Sequence, residues 1–352
     1  MDINNLLIFI GAIAVLIIVH ELGHFIASKL LGVEVEEFGL GFPPRAVTLF
    51  KAGGTIFSLN WIPLGGFVRP KGENDPEVPG GLAASSPWVR IVVLAAGPVA
   101  NFLTAAILFT IIFARIGMPD TSRIEIVDVA ENSPAARAGL QPGDMITEIN
   151  GQPIDSPDIL REMIAKNVEQ ETRIVYRRGD QIGEVTLVPR ADPPPGEGAI
   201  GILFSHPSVP LTPWQALGLG TVAVYDQVVQ ILTLPARIIE GTIAPEQARL
   251  VGYKGMYDMF QTVREADAAS ETPAGVNTLF FFASISISLG LLNLLPIPAL
   301  DGGRIAFTLP ELILRRRIPP TYENAINLVS FAMLILLMIY INVQDFVNPA
   351  DF

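Results

Sequence analysis

Cysteine is absent from this 352-residue chain. That absence excludes a disulfide framework and thiolate metal ligands, so any metal chemistry falls to His, Asp and Glu. Histidine is nearly as scarce, at 3 in the whole chain. Charge is thin too: Asp, Glu, Lys and Arg make up 16% of the residues and hydrophobic types 50%. The chain is thus too apolar for one soluble domain and too long for membrane helices alone. The net charge of -12, with no basic stripe interleaved with aromatics, argues against a nucleic-acid partner. Lys and Arg are also missing from the first few residues and from the tail after Ile341.

Against that scarcity, two histidines stand four apart in His20-Glu21-Leu22-Gly23-His24, inside an apolar run over residues 6–31. On one face of a helix both imidazoles reach a single Zn2+, and Glu21 is placed to act on the water that such a metal activates. Ionisable groups at membrane depth are costly, which makes them functional by default. Chance is one competing reading, since His-Glu-x-x-His recurs in unrelated chains. A signal peptide fits poorly: Met1-Asp2 supplies no positive start and no small-residue cleavage site follows. A soluble metzincin needs a glycine and a further histidine where Ala27 and Leu30 stand.

Four segments have the length and apolarity of membrane spans: residues 5–31, 89–116, 276–295 and 325–341. Residues 214–243 are interrupted by Tyr225, Asp226, Gln227, Gln230, Arg237 and Glu240, which predicts an interfacial or packed amphipathic helix. Between the first two spans lie Lys29, Arg45, Lys51, Arg69, Lys71 and Arg90, and between the last two lie Arg304, Arg315, Arg316 and Arg317. The positive-inside bias therefore places both short loops in the cytoplasm and both termini, with the long middle segment, outside. His20 is about 14 residues into the first span, so ~1.5 Å per residue puts it roughly 21 Å from the outer end, in the cytoplasmic half.

The middle segment begins as a β-rich domain. Residues 123–129 alternate with period two, 133–140 read as a short helix, and Gln141-Pro142-Gly143-Asp144 as a turn. A strand follows at 145–149, then Asn150-Gly151, a helix over 157–167 and two strands around Arg178-Gly179-Asp180. This order, with the Gly-Leu-x-Pro-Gly-Asp-x-Ile run, resembles a bacterial PDZ domain. Such domains take a peptide or substrate tail by adding a strand to a sheet edge; a β-domain without ligand is the plain alternative. Residues 190–198, with three consecutive prolines, read as a stiff linker.

Two histidines leave a catalytic zinc short of one protein ligand. Asp301, in Leu294-Leu295-Pro296-Ile297-Pro298-Ala299-Leu300-Asp301-Gly302-Gly303, is the candidate, because proline-broken backbone beyond an apolar helix can aim a carboxylate back at a neighbouring span. An ordinary turn at the membrane surface is the competing reading.

Taken together, His20–His24, Gly97-Pro98-Val99-Ala100-Asn101-Phe102, the PDZ-like domain and Asn293–Gly303 resemble the site-2 protease family of intramembrane zinc metalloproteases, in its regulator-of-sigma-E branch. The resemblance implies that His20, His24 and Asp301 bind Zn2+, that Glu21 is the catalytic base, and that Asn293 steadies substrate or oxyanion. It also implies that residues 35–71 form a cytoplasmic-side hairpin dipping into the membrane, with Gly65 and Gly66, beside Gly97, Pro98 and Asn101, in substrate handling. Where many relatives carry a histidine after Asp-Gly-Gly, this chain has Arg304.

The expectation is a polytopic α-helical membrane protein with four transmembrane helices, a membrane-associated β-hairpin region and one α+β PDZ domain. Residues 1–120 hold the first two spans and the hairpin, 121–192 the PDZ domain, 193–275 a proline-rich linker with an amphipathic helical region, and 276–352 the last two spans. The implied activity is zinc endopeptidase action within transmembrane segments of single-span proteins, such as anti-sigma factors or signal-peptide remnants, from a multi-pass site in the inner (plasma) membrane. The rival readings are a noncatalytic PDZ scaffold, which has no need of Glu21, and a metal transporter, for which one ligand cluster is too few.

Overall fold

The computed structural model describes residues 2–244, 249–269 and 275–349. Parts of the expected 193–275 region, residues 245–248 and 270–274, lie outside the described residues. In chain order the first elements are α1 (Ile3–Leu30), β1 (Val35–Ala52), β2 (Thr55–Pro70), α2 (Pro87–Ile116), β3 (Met118–Pro119), β4 (Ile124–Val129), α3 (Pro134–Ala138), β5 (Met145–Ile149) and β6 (Gln152–Pro153). Then come α4 (Pro157–Lys166), β7 (Thr172–Arg178), β8 (Gln181–Leu187), β9 (Ile202–Ser205), β10 (Ser208–Val209), α5 (Pro213–Ile239), α6 (Tyr253–Ala269), α7 (Val276–Leu294), α8 (Asp301–Leu314) and α9 (Pro320–Val347).

Among the described residues five helices, α1, α2, α5, α7 and α9, are long and apolar enough to cross a membrane. The sequence reading counted four. The additional one is α5, whose polar residues do not interrupt it: a capping box joins Thr212 and Gln215 at its start, and its charges are confined to Asp226 and Arg237. The expected four-helix count is thus not what length and apolarity alone return.

Residues Met1–Arg115 and Thr212–Phe352 belong to one compact unit. In it α1, α6 and α7 meet through aromatic rings, with Phe9 5.6 Å from Tyr257 and 5.7 Å from Phe260, and Phe260 5.5 Å from Phe282. The Tyr257 hydroxyl donates to Asp2 O at 3.3 Å. At the start of α6, Gly252 and Gly255 N–H groups donate to Asp345 Oδ2 of α9 at 2.8 and 3.0 Å, a carboxylate capping a helix N-terminus.

The pairing of β1 with β2 is a folded hairpin. Residues 37–40 each pair twice, once with a partner in 66–69 and once with one in 56–59, and 45–52 pairs with the other side of 55–60. The result is a four-run mixed sheet in the order 66–70, 35–40, 56–60, 45–52, in which 37–40 and 56–59 run parallel and the two outer pairs antiparallel, with 66–70 at one edge. Its centre is held by Glu37, buried beneath Arg45 (2.6 Å) and Arg69 (2.6 Å) and accepting from Ser58 Oγ at 2.7 Å. Those guanidiniums, Arg45 foremost, hold the Glu37 carboxyl below its ordinary range against the burial that raises it. Phe25 of α1 sits 5.7 Å from both Phe38 and Phe57, fastening the sheet to the helix.

Residues Ile116–Leu211 form the second compact unit. Its main sheet runs β8-β7-β5-β4-β9 around a core that includes Ile124, Ile126, Ile146, Ile149, Leu160 and Ile174. The strands and helices fall where alternation and turn residues predict them. β9 is the exception: it lies beyond the proline-rich stretch yet pairs with β4, so this unit is wider than the 121–192 expected from the sequence.

Candidate active site

Helix spacing alone brings His20 and His24 together on α1, with their Nε2 atoms 3.1 Å apart. Asp301, the first residue of α8, sends Oδ2 to within 3.2 Å of His20 Nε2 and 3.3 Å of His24 Nε2. Among the described residues these three form the cluster of His and acidic side chains able to share an ion. Ligand atoms about 2.0–2.1 Å from a tetrahedral zinc stand roughly 3.3 Å from one another, so the triangle fits.

The second nitrogen of each ring sets which tautomer is present. His24 Nδ1 lies 2.8 Å from Val93 O, an atom that can only accept, so Nδ1 carries the proton and Nε2 keeps its lone pair for a metal. His20 Nδ1 lies 3.1 Å from the Asn101 amide, whose Oδ1 has no partner among the described residues although Asn101 is fully buried. The two amide atoms exchange by a half-turn. With Oδ1 turned towards the ring, it accepts the His20 Nδ1–H, and His20 Nε2 is left ready for a metal as well.

Small residues let α2 come this close. A Cβ at Gly97 would stand 2.3 Å from His24 Nε2 and 2.8 Å from His20 Nε2, and one at Gly23 would stand 2.3 Å from Ala96 O. Pro98 turns its carbonyl towards α7, 3.0 Å from where a Cβ on Gly290 would sit. Gly97 and Pro98 thus lie in helix contacts that back the histidines, while Asn101 lines the cavity as well.

Glu21 faces the sheet edge: its Oε2 accepts the Val68 N–H at 2.9 Å. Gly66 lies against α1: a Cβ there would stand 3.4 Å from Glu21 Cγ, an ordinary contact distance. Glu21, His20, Gly66 and Asn293 lie where two cavities adjoin. One, of about 280 Å³, is lined by apolar residues such as Phe9, Ile13, Ile17 and Leu289, together with Gly65. The other, of about 600 Å³, has a mixed lining that includes the charged residues Arg69, Glu73, Asp301 and Arg304. Asn293 donates one amide hydrogen to Leu289 O at 3.0 Å. Arg304 turns from the ligands to an ion pair with Glu73 and to Asn74 Oδ1 at 3.1 Å.

The structure therefore gathers His20, His24, Asp301, Glu21, Asn293, Gly65, Gly66 and Asn101 around one space. The sequence reading did not find Val68 and Val93, whose contributions are backbone atoms and leave no residue-type signal. Glu73 was also missed; its position shortly after the hairpin was its only mark.

Comparison with known proteins points the same way. Peptidase family M50 matches residues 8–337. A Clostridium perfringens protein named as a zinc metalloprotease is 34% identical over 340 residues, spanning 96% of this chain and 97% of that protein. The regulator of sigma-W protease RasP of Bacillus subtilis is 27% identical over 429 residues, spanning 98% of this chain and 99% of its own length. Among solved structures, the PDZ domain of an SdrC-like protein from Listeria monocytogenes is 30% identical over 23% of this chain and 85% of that one, at a TM-score of 0.21. With a whole-length family match and a relative above 30% identity, the chain belongs to peptidase family M50, the site-2 protease family of zinc metalloproteases.

Proposed function

We propose that His20, His24 and Asp301 are the zinc ligands of this intramembrane endopeptidase, that Glu21 is its general base and acid, and that its substrates are single-span membrane proteins. The observation that carries the reading is the triangle of Nε2, Nε2 and Oδ2 atoms, 3.1–3.3 Å on a side, at the junction of an apolar and a mixed cavity. A bound zinc ion supplies Lewis acidity and lowers the pKa of water at the site. Glu21 takes the proton of the attacking water and returns it to the leaving amine. The second amide hydrogen of Asn293 is assigned to the oxyanion, since the first is bonded to Leu289 O.

The apolar cavity accommodates side chains of a transmembrane segment, and the mixed cavity admits water from the cytoplasmic side. The 66–70 edge beside Glu21 offers backbone groups to an unwound substrate, which would extend the sheet by one strand. Regulators of the anti-sigma-factor kind and signal-peptide remnants are the substrates favoured; the first fits the name of RasP as a regulator of sigma-W protease. The PDZ-like unit takes a peptide or substrate tail, and both termini lie on the outer face of the inner membrane. The test is cleavage of a membrane-embedded single-span peptide by purified protein with zinc measured in parallel. Asp301→Ala and His24→Ala should each lose zinc and cleavage together; zinc retained at wild-type occupancy in either variant overturns the ligand assignment.

A further inference from the structure

The segment that carries Asp301 reverses tightly between α7 and α8. Ile297 N–H donates to Leu295 O at 2.7 Å and Leu300 N–H to Ile297 O at 3.1 Å. Gly302 and Gly303 press onto the same reversal, for a Cβ on them would stand 2.3 Å from Leu294 O and 2.2 Å from Ile297 O. At its tip is Ala299 with φ of +74°, in the left-handed region that a residue with a Cβ disfavours. Such a conformation persists only where the surroundings impose it.

One restraint on it comes from another helix. Asn327, near the start of α9, accepts the Ala299 N–H on Oδ1 at 3.0 Å. Along its length α9 buries little: Asp345 is its one buried residue among those described. Its polar attachments lie towards its ends, Asn327 at one and Asn342 and Asp345 at the other. The first of these is directed to a strained residue two positions before a carboxylate whose Oδ2 must stay within 3.3 Å of two imidazoles.

We infer that Asn327 is a positioning residue for the metal site: by holding Ala299 left-handed, it aims Asp301 at His20 and His24, so that span α9 sets the zinc affinity of ligands on α1 and α8. This rests on Asp301 being a zinc ligand, as proposed above. It adds a residue that touches neither metal nor substrate and lies outside every motif in the sequence. The physical chain is short. Without the acceptor, Ala299 relaxes out of the left-handed region, the reversal opens, and the Asp301 carboxylate shifts from the triangle.

The test uses the full-length protein in detergent, with zinc as the probe and a fluorescent chelator as competitor. Partners that orient metal ligands typically change affinity 10–100-fold, so Asn327→Ala is expected to weaken zinc binding by about tenfold or more. Asn327→Gln, which displaces the acceptor by one methylene, should weaken it less and guards against a failure of the alanine variant to accumulate. The decisive variant is Asn327→Ala combined with Ala299→Gly. Glycine takes positive φ without penalty, so this double variant should recover a substantial part of the lost affinity. Wild-type zinc affinity in both single Asn327 variants would overturn the inference. So would a loss of affinity that Ala299→Gly leaves untouched, because that result assigns Asn327 to the general packing of α9. Asp301→Ala keeps the premise separate: undiminished zinc binding there removes the ligand assignment itself.

Discussion

Val68 donates its backbone N–H to Glu21 Oε2 at 2.9 Å, which joins the edge of the folded hairpin to the carboxylate between the two histidines. The bond fixes one oxygen of Glu21 and leaves the metal-side triangle to His20, His24 and Asp301. Base and ligands are therefore separable by mutation. Glu21→Gln retains the size of the side chain and an acceptor for Val68, and it removes the proton carrier. It should leave zinc occupancy at the wild-type level and lower cleavage of a membrane-embedded peptide by about 10²–10⁴-fold, the usual worth of a general base. Metal analysis beside a cleavage assay checks both halves.

A second prediction concerns the close approach of α2. A methyl at residue 97 would lie 2.3 Å from His24 Nε2, with the other imidazole 2.8 Å away. Gly97→Ala should therefore displace both rings and lose zinc and activity. Gly11→Ala, on α1 itself, meets nothing within 4 Å and should change neither. Equal zinc content in the two variants would show that the ligands tolerate a shift of the helix backbone.

These two predictions mark what sequence could and could not supply. His20, Glu21 and His24 are legible because helix periodicity alone makes them neighbours. Asp301 lies far along the chain and could be suspected only from its broken-helix context, since closure of the triangle depends on how α8 enters the site. The folded hairpin was harder still. Glu37 pairs with Arg45 and Arg69 only because β1 and β2 each double back, and no alternation pattern records a strand with two partners. β9 escaped notice for a related reason: four residues after a proline-rich stretch read as linker until the edge of β4 is there to receive them. α5 was legible as a helix over nearly its full length, and its scattered polar residues bear only on whether it crosses.

Acid should loosen the hairpin through Glu37. Its carboxyl is held below the ordinary value, chiefly by the Arg45 hydrogen bond, so the folded sheet prefers the ionised form. The stabilisation is complete above the unfolded carboxylate pKa of about 4.3 and is lost as pH falls through that value towards the folded one. Protection factors across residues 35–70, with exchange referred to the intrinsic rate at each pH, should fall over that window, and Glu37→Gln should remove the step while lowering protection at neutral pH. Protection factors that do not vary with pH in the wild type would show that the two arginines do not depend on the Glu37 charge.

The last prediction concerns how many helices cross. Five have the length and apolarity for it, and an odd number of crossings would leave the two ends of the chain on opposite faces. α6 bears on both ends at once, however. Tyr257 donates to Asp2 O beside the start of α1, and the N–H groups of Gly252 and Gly255 reach Asp345 in the last turn of α9. A helix of 17 residues extends about 26 Å at 1.5 Å per residue, and the two contacts lie within its first two turns, which is far less than a bilayer. These contacts favour a shared face for the ends of α1 and α9, and we propose an even number of crossings with α5 as the helix that does not cross. The absence of cysteine makes this directly measurable. Single cysteines at Asp2, Asp180 and Pro349 should all react with an impermeant thiol reagent applied to intact cells, and one at Lys71 only after permeabilisation, with the loop arginines and lysines retained on the inside. Labelling of the Asp2 position from outside with the Pro349 position protected would make α5 a span and would require α6 to lie on a different face from the one its hydrogen bonds imply.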